Sequence, residues 1–329
     1  MQEINLSKKE IQSRLNNLRI QPQNLEARNY GVSIKYFETK NDKWNKRIDY
    51  SVRVELNIDK NNGVVSFEKK HVMINQHVPD LINEIFANKI SEALYPIEAN
   101  MNEKGLGGSY IENYEDVLLR WKNKKEEILK KYQSEAVTHF LEKTSKIFNN
   151  INLLKQSLHN DWFWNLFFHP KLLHYGDNRT IEKTLYLSIV PYQYPFRFTG
   201  TQYIEKIPTN YHSFLVTYKS DEVEAPSYFR PKNITDNQKV YMCLDVFFDL
   251  DLYHHFPIHT RAYLTIYSKD LNKKKIQIRR IEFTMYQQNT SIYENKNLSN
   301  KSAFITGGIV RLPPNEWGFD NFERVANDW

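Results

Sequence analysis

Alternation of apolar and polar residues, recurring toward both ends of the chain, is the feature that most limits what it can fold into. In YSVRVELNI, residues 50–58, Val52, Val54, Leu56 and Ile58 share one parity, and Arg53, Glu55 and Asn57 share the other. Successive side chains on a strand point to opposite faces, so this is the pattern of a half-buried strand. Asn61-Asn62-Gly63 then reads as a turn and VVSFEKKHVMI as its hairpin partner. VSIKYF, just upstream, carries the same alternation. From Thr180 on the pattern returns in TLYLSIV, FRFTGTQYIEKI, HSFLVTYKS, KVYMCLDVFFDLDLY, TRAYLTIYS and KIQIRRIEFTMYQ. Turns between consecutive segments of this kind predict a mostly antiparallel arrangement.

Elsewhere in the chain the period changes to that of a helix. Residues 4–20 place Ile4, Ile11, Leu15 and Leu18 at helical spacing, with Ser7 and Glu10 as a capping box, and 21–29 reads as a linker. Pro79 opens a helix whose stripe is Leu81, Ile82, Ile85, Phe86, Ile90 and Leu94. IEANM and GSYIE are extended around a turn at Glu103-Lys104-Gly105. Asn113, with Asp116 three residues on, predicts a capped helix carrying Val117, Leu118, Trp121, Ile128, Leu129 and Tyr132. A second helix runs from about Ser134 to Asn149, and a third piece passes through DWFWNLFF and ends before Pro170. The expected fold class is α+β, with two antiparallel β-rich lobes flanking a central helical layer. The expected segments are 1–29 (N-terminal helix and linker), 30–112 (hairpin, helix, hairpin lobe), 113–178 (helical section), 179–290 (antiparallel β lobe) and 291–329 (polar loop and aromatic tail).

Composition removes several classes of function. Cys243 is the single cysteine, so neither an internal disulfide nor a multi-cysteine zinc site is available. Glycine is scarce, ten in 329 residues, and no GxxxxGK[ST], GxGxxG or GxSxG occurs. Phosphate cradles and nucleophile elbows need such glycines for close backbone approach. The net charge of +6 is spread along the chain. Its densest block, KNKKEEILKK, is broken by Glu126 and Glu127 at a spacing that suits ion pairs on a helix face, which argues against nucleic acid as a partner. The N-terminal sequence lacks the apolar core of a signal peptide, and no stretch reaches the length of a membrane span. A cytoplasmic location is expected, with non-Sec export left open. The wealth of Asn, Lys and Ile fits an AT-rich bacterial gene.

The stretch DVFFDLDLYHHFPIHTR, residues 245–261, concentrates carboxylates and imidazoles. On a strand Val246, Phe248, Leu250 and Leu252 face one way, and Asp245, Phe247, Asp249 and Asp251 the other. The structural reading is an acidic outer face on a half-buried sheet, neutralised across strands by Lys273, Lys274, Lys275, Arg279 and Arg280 of the following hairpin. The chemical alternative is a metal-dependent hydrolase or transferase. Its catalytic set would be Asp249, Asp251, His254 and His255, and its metal ligands Asp249, Asp251, His255 and His259. His169 and His174, on either side of Pro170, read as surface histidines near a helix end. DWFWNLFF reads as a buried helix, with an exposed aromatic patch as its alternative. Trp317, Phe319, Phe322 and Trp329 crowd the C-terminal tail and are the candidate partner-binding residues. With no specific catalytic motif, the expected function is a non-enzymatic adaptor or scaffold without a cofactor. Its partner would be another protein or a second copy of itself, with service to a secretion or injection machine as one setting. The alternatives are the metal-dependent enzyme and a ligand- or lipid-binding β lobe.

Overall fold

Both strand-rich regions belong to one antiparallel sheet. In the computed structural model, the described residues are 9, 13, 15–20, 27–38, 43–59, 62–189, 195–205, 213–226, 239–252, 254–269 and 274–288. The chain runs β1 (Arg28–Glu38), β2 (Lys46–Asp59), β3 (Asn62–Ile74), α1 (Ile82–Leu94), β4 (Ile97–Met101) and β5 (Gly107–Ile111). Four helices follow: α2 (Tyr114–Lys131), α3 (Glu135–Phe148), α4 (Ile151–Leu158) and α5 (Trp162–Phe168). The strands then resume with β6 (Thr180–Leu187), β7 (Phe196–Ile204), β8 (Ser213–Ser220), β9 (Val223–Glu224), β10 (Val240–Asp251), β11 (Pro257–Lys269) and β12 (Lys275–Gln287).

The sheet order is β5-β4-β3-β2-β1-β12-β11-β10-β8-β7-β6, with β9 on the side against β10. The expectation of two lobes around a central helical layer is corrected here. β1 pairs with β12 from Tyr30 opposite Gln287 to Glu38 opposite Arg279, so the first and last described strands fuse the two regions. The fold is mostly β, a single 12-stranded sheet, and the described helices form no layer between lobes. Local periodicity specifies that a strand is half-buried but not which distant strand lies beside it, so the junction escapes a reading of short segments.

The inner face follows the parity read from the sequence. Tyr30, Val32 and Ile34 of β1, Tyr50, Val52 and Val54 of β2, and Val246, Phe248 and Leu250 of β10 are all buried. Against this face lies α5. Its residues Trp162, Phe163, Trp164, Leu166, Phe167 and Phe168 are all buried, so the exposed-patch reading of this segment does not hold. Phe67 on β3 meets the rings of Phe163, Trp164, Phe167 and Phe168 at centroid distances of 5.0–5.7 Å. Trp162 approaches Phe283 of β12, and Phe167 approaches Phe256 before β11.

Both edge strands, β5 and β6, also come within 8 Å of α5 between Cα atoms. Laid flat, ten gaps of about 4.8 Å would hold those edges about 48 Å apart. A helix of seven residues is only about 10 Å long. The sheet must therefore curl, and α5 sits inside the curl. Gly108 makes the approach of β5 possible. Its φ of +75° is left-handed, and a Cβ there would stand 2.9 Å from Phe168 and from the Trp164 indole nitrogen.

The remaining helices pack mainly on one another. Phe86 of α1 packs on Tyr132 and Phe140, and Trp121 stacks on Phe148 at 4.6 Å. Ser134 caps α3 as its sequence predicts, accepting from the Val137 amide. Asn113 does not cap α2 with its side chain. It accepts instead from the Glu98 amide and donates to the Pro96 carbonyl, tying the helix start to β4. The third helical piece is split in two, because Asn150 and Asp161 each cap a new helix. The basic block of α2 is paired as expected, with Lys124 on Glu92 and Glu127. Among the described residues no helix is long and apolar enough to cross a membrane.

Gly108 and Gly176 separate packing from backbone strain. Both have positive φ, but a Cβ at Gly176 meets nothing within 4 Å. Gly176→Ala should cost about 1 kcal/mol, the left-handed penalty alone. Gly108→Ala adds overpacking against α5 and should cost about 2–4 kcal/mol in denaturant unfolding. Equal losses would mean that β5 does not press on the helix.

Candidate functional site

The acidic strand ends in a tight turn. Between Asp249 and Leu250 the β10–β11 register shifts, and Asp251 begins a reversal in which its amide donates to the Phe256 carbonyl and the His255 amide to the Asp251 carbonyl. His255 takes a positive φ of 55° there. The Asp251 carboxylate closes the same turn by accepting from the His254 and Phe256 amides at 2.5 and 3.3 Å. Such side-chain-to-backbone bonding is what makes Asp a turn residue.

The two carboxylates that would have formed the metal pair have separate partners. Asp251 receives the Arg28 guanidinium at 2.7 Å, and Arg28 is fully buried. Asp249 accepts from the Ser213 hydroxyl at 3.1 Å and has Arg261 at 3.6 Å. Burial pushes both carboxyls upward. For Asp251 the Arg28 charge, His254 and the turn hydrogen bonds outweigh burial and hold it below its ordinary value. For Asp249 burial wins over Arg261 and Ser213, and its value is raised.

Neither carboxylate lies on a solvated outer face, because Asp249 and Asp251 are both buried. Nor does the basic hairpin neutralise them. β12 lies beyond β11, so Arg279 goes to Glu38 and Arg280 to Glu282. Lys273 falls outside the described residues. The cations that do the work are Arg28 and Arg261.

The histidines are also dispersed. His254 lies 3.6 Å from Asp251 and 3.4 Å from Arg28. The His255 ring reaches the Arg19 carbonyl at 2.8 Å and packs edge-on to Phe214. His259 stands 3.8 Å from Asp249, and burial, helped by Arg261, lowers its pKa to about 3, so it is neutral. Among the described residues no three His, Cys, Asp or Glu side chains converge as a metal site. Two arginines facing two carboxylates already supply the opposite charge that a divalent cation would bring.

A second buried cluster surrounds the end of α5. His169 is buried, not at the surface, and its imidazole meets Gln202 at 2.6 Å. Desolvation, with Lys171 adding to it, lowers the pKa of His169 to about 3. The helix dipole is met instead by Lys171, which donates to the carbonyls of Leu166, Phe167 and His169. Burial pulls Lys171 down to about 7. Cys243 is half-buried, and burial raises its thiol pKa. The candidate tail residues Trp317, Phe319, Phe322 and Trp329 lie outside the described residues.

Arg28 and Arg261 are the residues that the sequence reading missed. Arg28 sits at the end of a stretch read as linker, yet it shares parity with Tyr30, Val32 and Ile34 on the inner face. Extending the alternation two residues upstream would have placed a buried cation there.

Opposite outcomes are expected for the two aspartates. Asp251→Asn leaves Arg28 buried without its counter-charge and should cost about 3–5 kcal/mol at pH 7. Because the folded pKa of Asp251 is depressed, that stability is present above the unfolded value and lost as pH falls through the folded value. Asp249 has a raised pKa, so its charge opposes folding at neutral pH and relief comes on acidification. Asp249→Asn should stay within about 1 kcal/mol of the parent. Melting curves from pH 7 to pH 3 read both signs. Lys171 gives a third, alkaline signature. Its folded pKa lies below the unfolded one, so the unfolded chain binds the extra proton between them, and stability rises with pH there. The parent should gain on Lys171→Met by on the order of 1 kcal/mol per pH unit between pH 7 and 9.

No protein-family model matches the chain, and no curated protein matches it.

Proposed function

We propose that this chain is a non-enzymatic binding protein, an adaptor or scaffold that engages another protein. The observation that carries the reading is the segment that leads from β3 into the first residue of α1. Val78, Leu81 and Ile82 are exposed by 74%, 59% and 51% within five residues. The helical stripe that begins at Leu81 predicts burial of this end, and Phe86 one turn later is indeed buried. An apolar cluster left in water on an otherwise packed helix suits a partner surface. The engagement of Asp249 and Asp251 by arginines supports the same reading, since it gives that cluster a structural role.

Site-specific photo-crosslinking tests this in cells that express the protein. A photoreactive residue at Leu81 should give a discrete adduct, and the same residue at exposed Lys122 should not. Ile82→Asp should abolish the adduct while shifting stability by no more than about 0.5 kcal/mol, as expected at a solvent-facing position. No adduct at residue 81, or the same adducts from both positions, would overturn the proposal.

A further inference from the structure

Four polar groups gather on the inner face over β1, β2 and β3 without a side-chain hydrogen bond among the described residues. Tyr36, Tyr50 and Lys69 come from the three strands, and Tyr95 precedes β4. The Lys69 ammonium lies 3.9 Å from the centre of the Tyr50 ring and 5.8 Å from that of Tyr95. Among the described residues no carboxylate stands within ion-pair distance of Lys69. Tyr50 is buried, and among the described residues its hydroxyl has no partner. Buried hydroxyls are as a rule bonded, so an orphan of this kind asks for an explanation. Tyr36 and Lys69 are partly exposed and form the open side, while Tyr50 and Tyr95 form the floor.

Asp161 faces the group from the start of α5. Its carboxylate caps the helix through the Phe163 amide at 2.8 Å. Its charge acts on all four residues. Burial first, then Asp161, raises Tyr36, Tyr50 and Tyr95, whereas burial lowers Lys69 against the pull of Asp161.

We propose that Lys69, Tyr50, Tyr95 and Tyr36 form a binding site for a small organic acid of single negative charge. Its carboxylate accepts from the Lys69 ammonium and the Tyr50 hydroxyl, and its apolar body lies against the tyrosine rings. The class follows from the charges. The Lys69 ammonium already holds the place over the Tyr50 ring that a cationic ligand would take. A lysine with hydroxyl donors around it calls for an acceptor. The nearby Asp161 makes a second negative charge on the ligand costly. This site is independent of the apolar segment at residues 78–82.

Benzoate is a suitable probe for the full chain, read by thermal shift and calorimetry. A saturable rise in Tm is expected, with affinity reduced at least tenfold in Lys69→Met and in Tyr50→Phe. Tyr50→Phe should also raise the Tm of the ligand-free protein, because it removes an unpartnered buried hydroxyl; this shows that loss of binding is not loss of fold. Inorganic phosphate should bind more weakly than benzoate. The proposal is overturned by three results: no saturable shift with benzoate, equal shifts in the parent and both variants, or saturable binding of tetramethylammonium by the parent.

Discussion

A seven-residue helix whose single polar residue is the half-buried Asn165 has to be enclosed on almost every side. The sheet meets that demand by curling, so that strands from its middle and from both edges reach α5. Phe67 serves as the contact point on β3, with four rings of the helix around it. Aromatic pairs at these distances contribute roughly 0.5–1.5 kcal/mol each beyond the area they bury. The backbone at the end of such a helix is as hard to satisfy as its sides are easy to pack. Lys171 supplies the missing donors from inside the core, and Gly108 keeps the facing strand clear of side-chain bulk.

Charge inside this fold tells the strands where to sit. Arg28 with Asp251 and Arg47 with Asp49 are buried pairs on or beside β1, β2 and β10. Burying charge costs several kcal/mol per ion before pairing repays it, so these contacts add little net stability. A slip of one residue would send every side chain to the opposite face and part Arg28 on β1 from Asp251 on β10, whereas Arg47 and Asp49 share β2 and move together. The Arg28–Asp251 pair thus penalises wrong registers. On that view the acid-rich strand that resembled a metal centre acts as a lock between residues 28 and 251, which the chain order holds far apart.

Much of the local structure was legible. The alternation in β2, β10 and β12 fixed their faces, and Ser134 marked the start of α3. The joining of β1 to β12 was not, because pairing partners are selected by shape and packing across the whole chain. The same limit hid Arg28, whose acid lies beyond two hundred intervening residues in sequence. The lysine–tyrosine group was partly in view. Lys69 follows Val65 and Phe67 on the inward parity, and Tyr50 precedes Val52 and Val54 on theirs. A polar residue on an apolar parity is the signal of such a group, and it is fainter than the dense run of carboxylates and histidines at residues 245–261. Leu81 and Ile82 failed the other way, since helical spacing matched a buried stripe that tertiary packing begins only one turn later.

The β1–β12 seam also sets a timetable for synthesis. β1, β2 and β3 emerge early and can pair in sequence, but residue 30 waits for residue 287. At about 5–20 residues per second, that interval lasts on the order of 10–50 seconds. Throughout it the outer edge of β1 presents open backbone donors and acceptors to any extended chain nearby. Lys35 and Glu38 on that strand place charge along the waiting edge, a feature of nascent-chain hygiene as much as of the finished sheet.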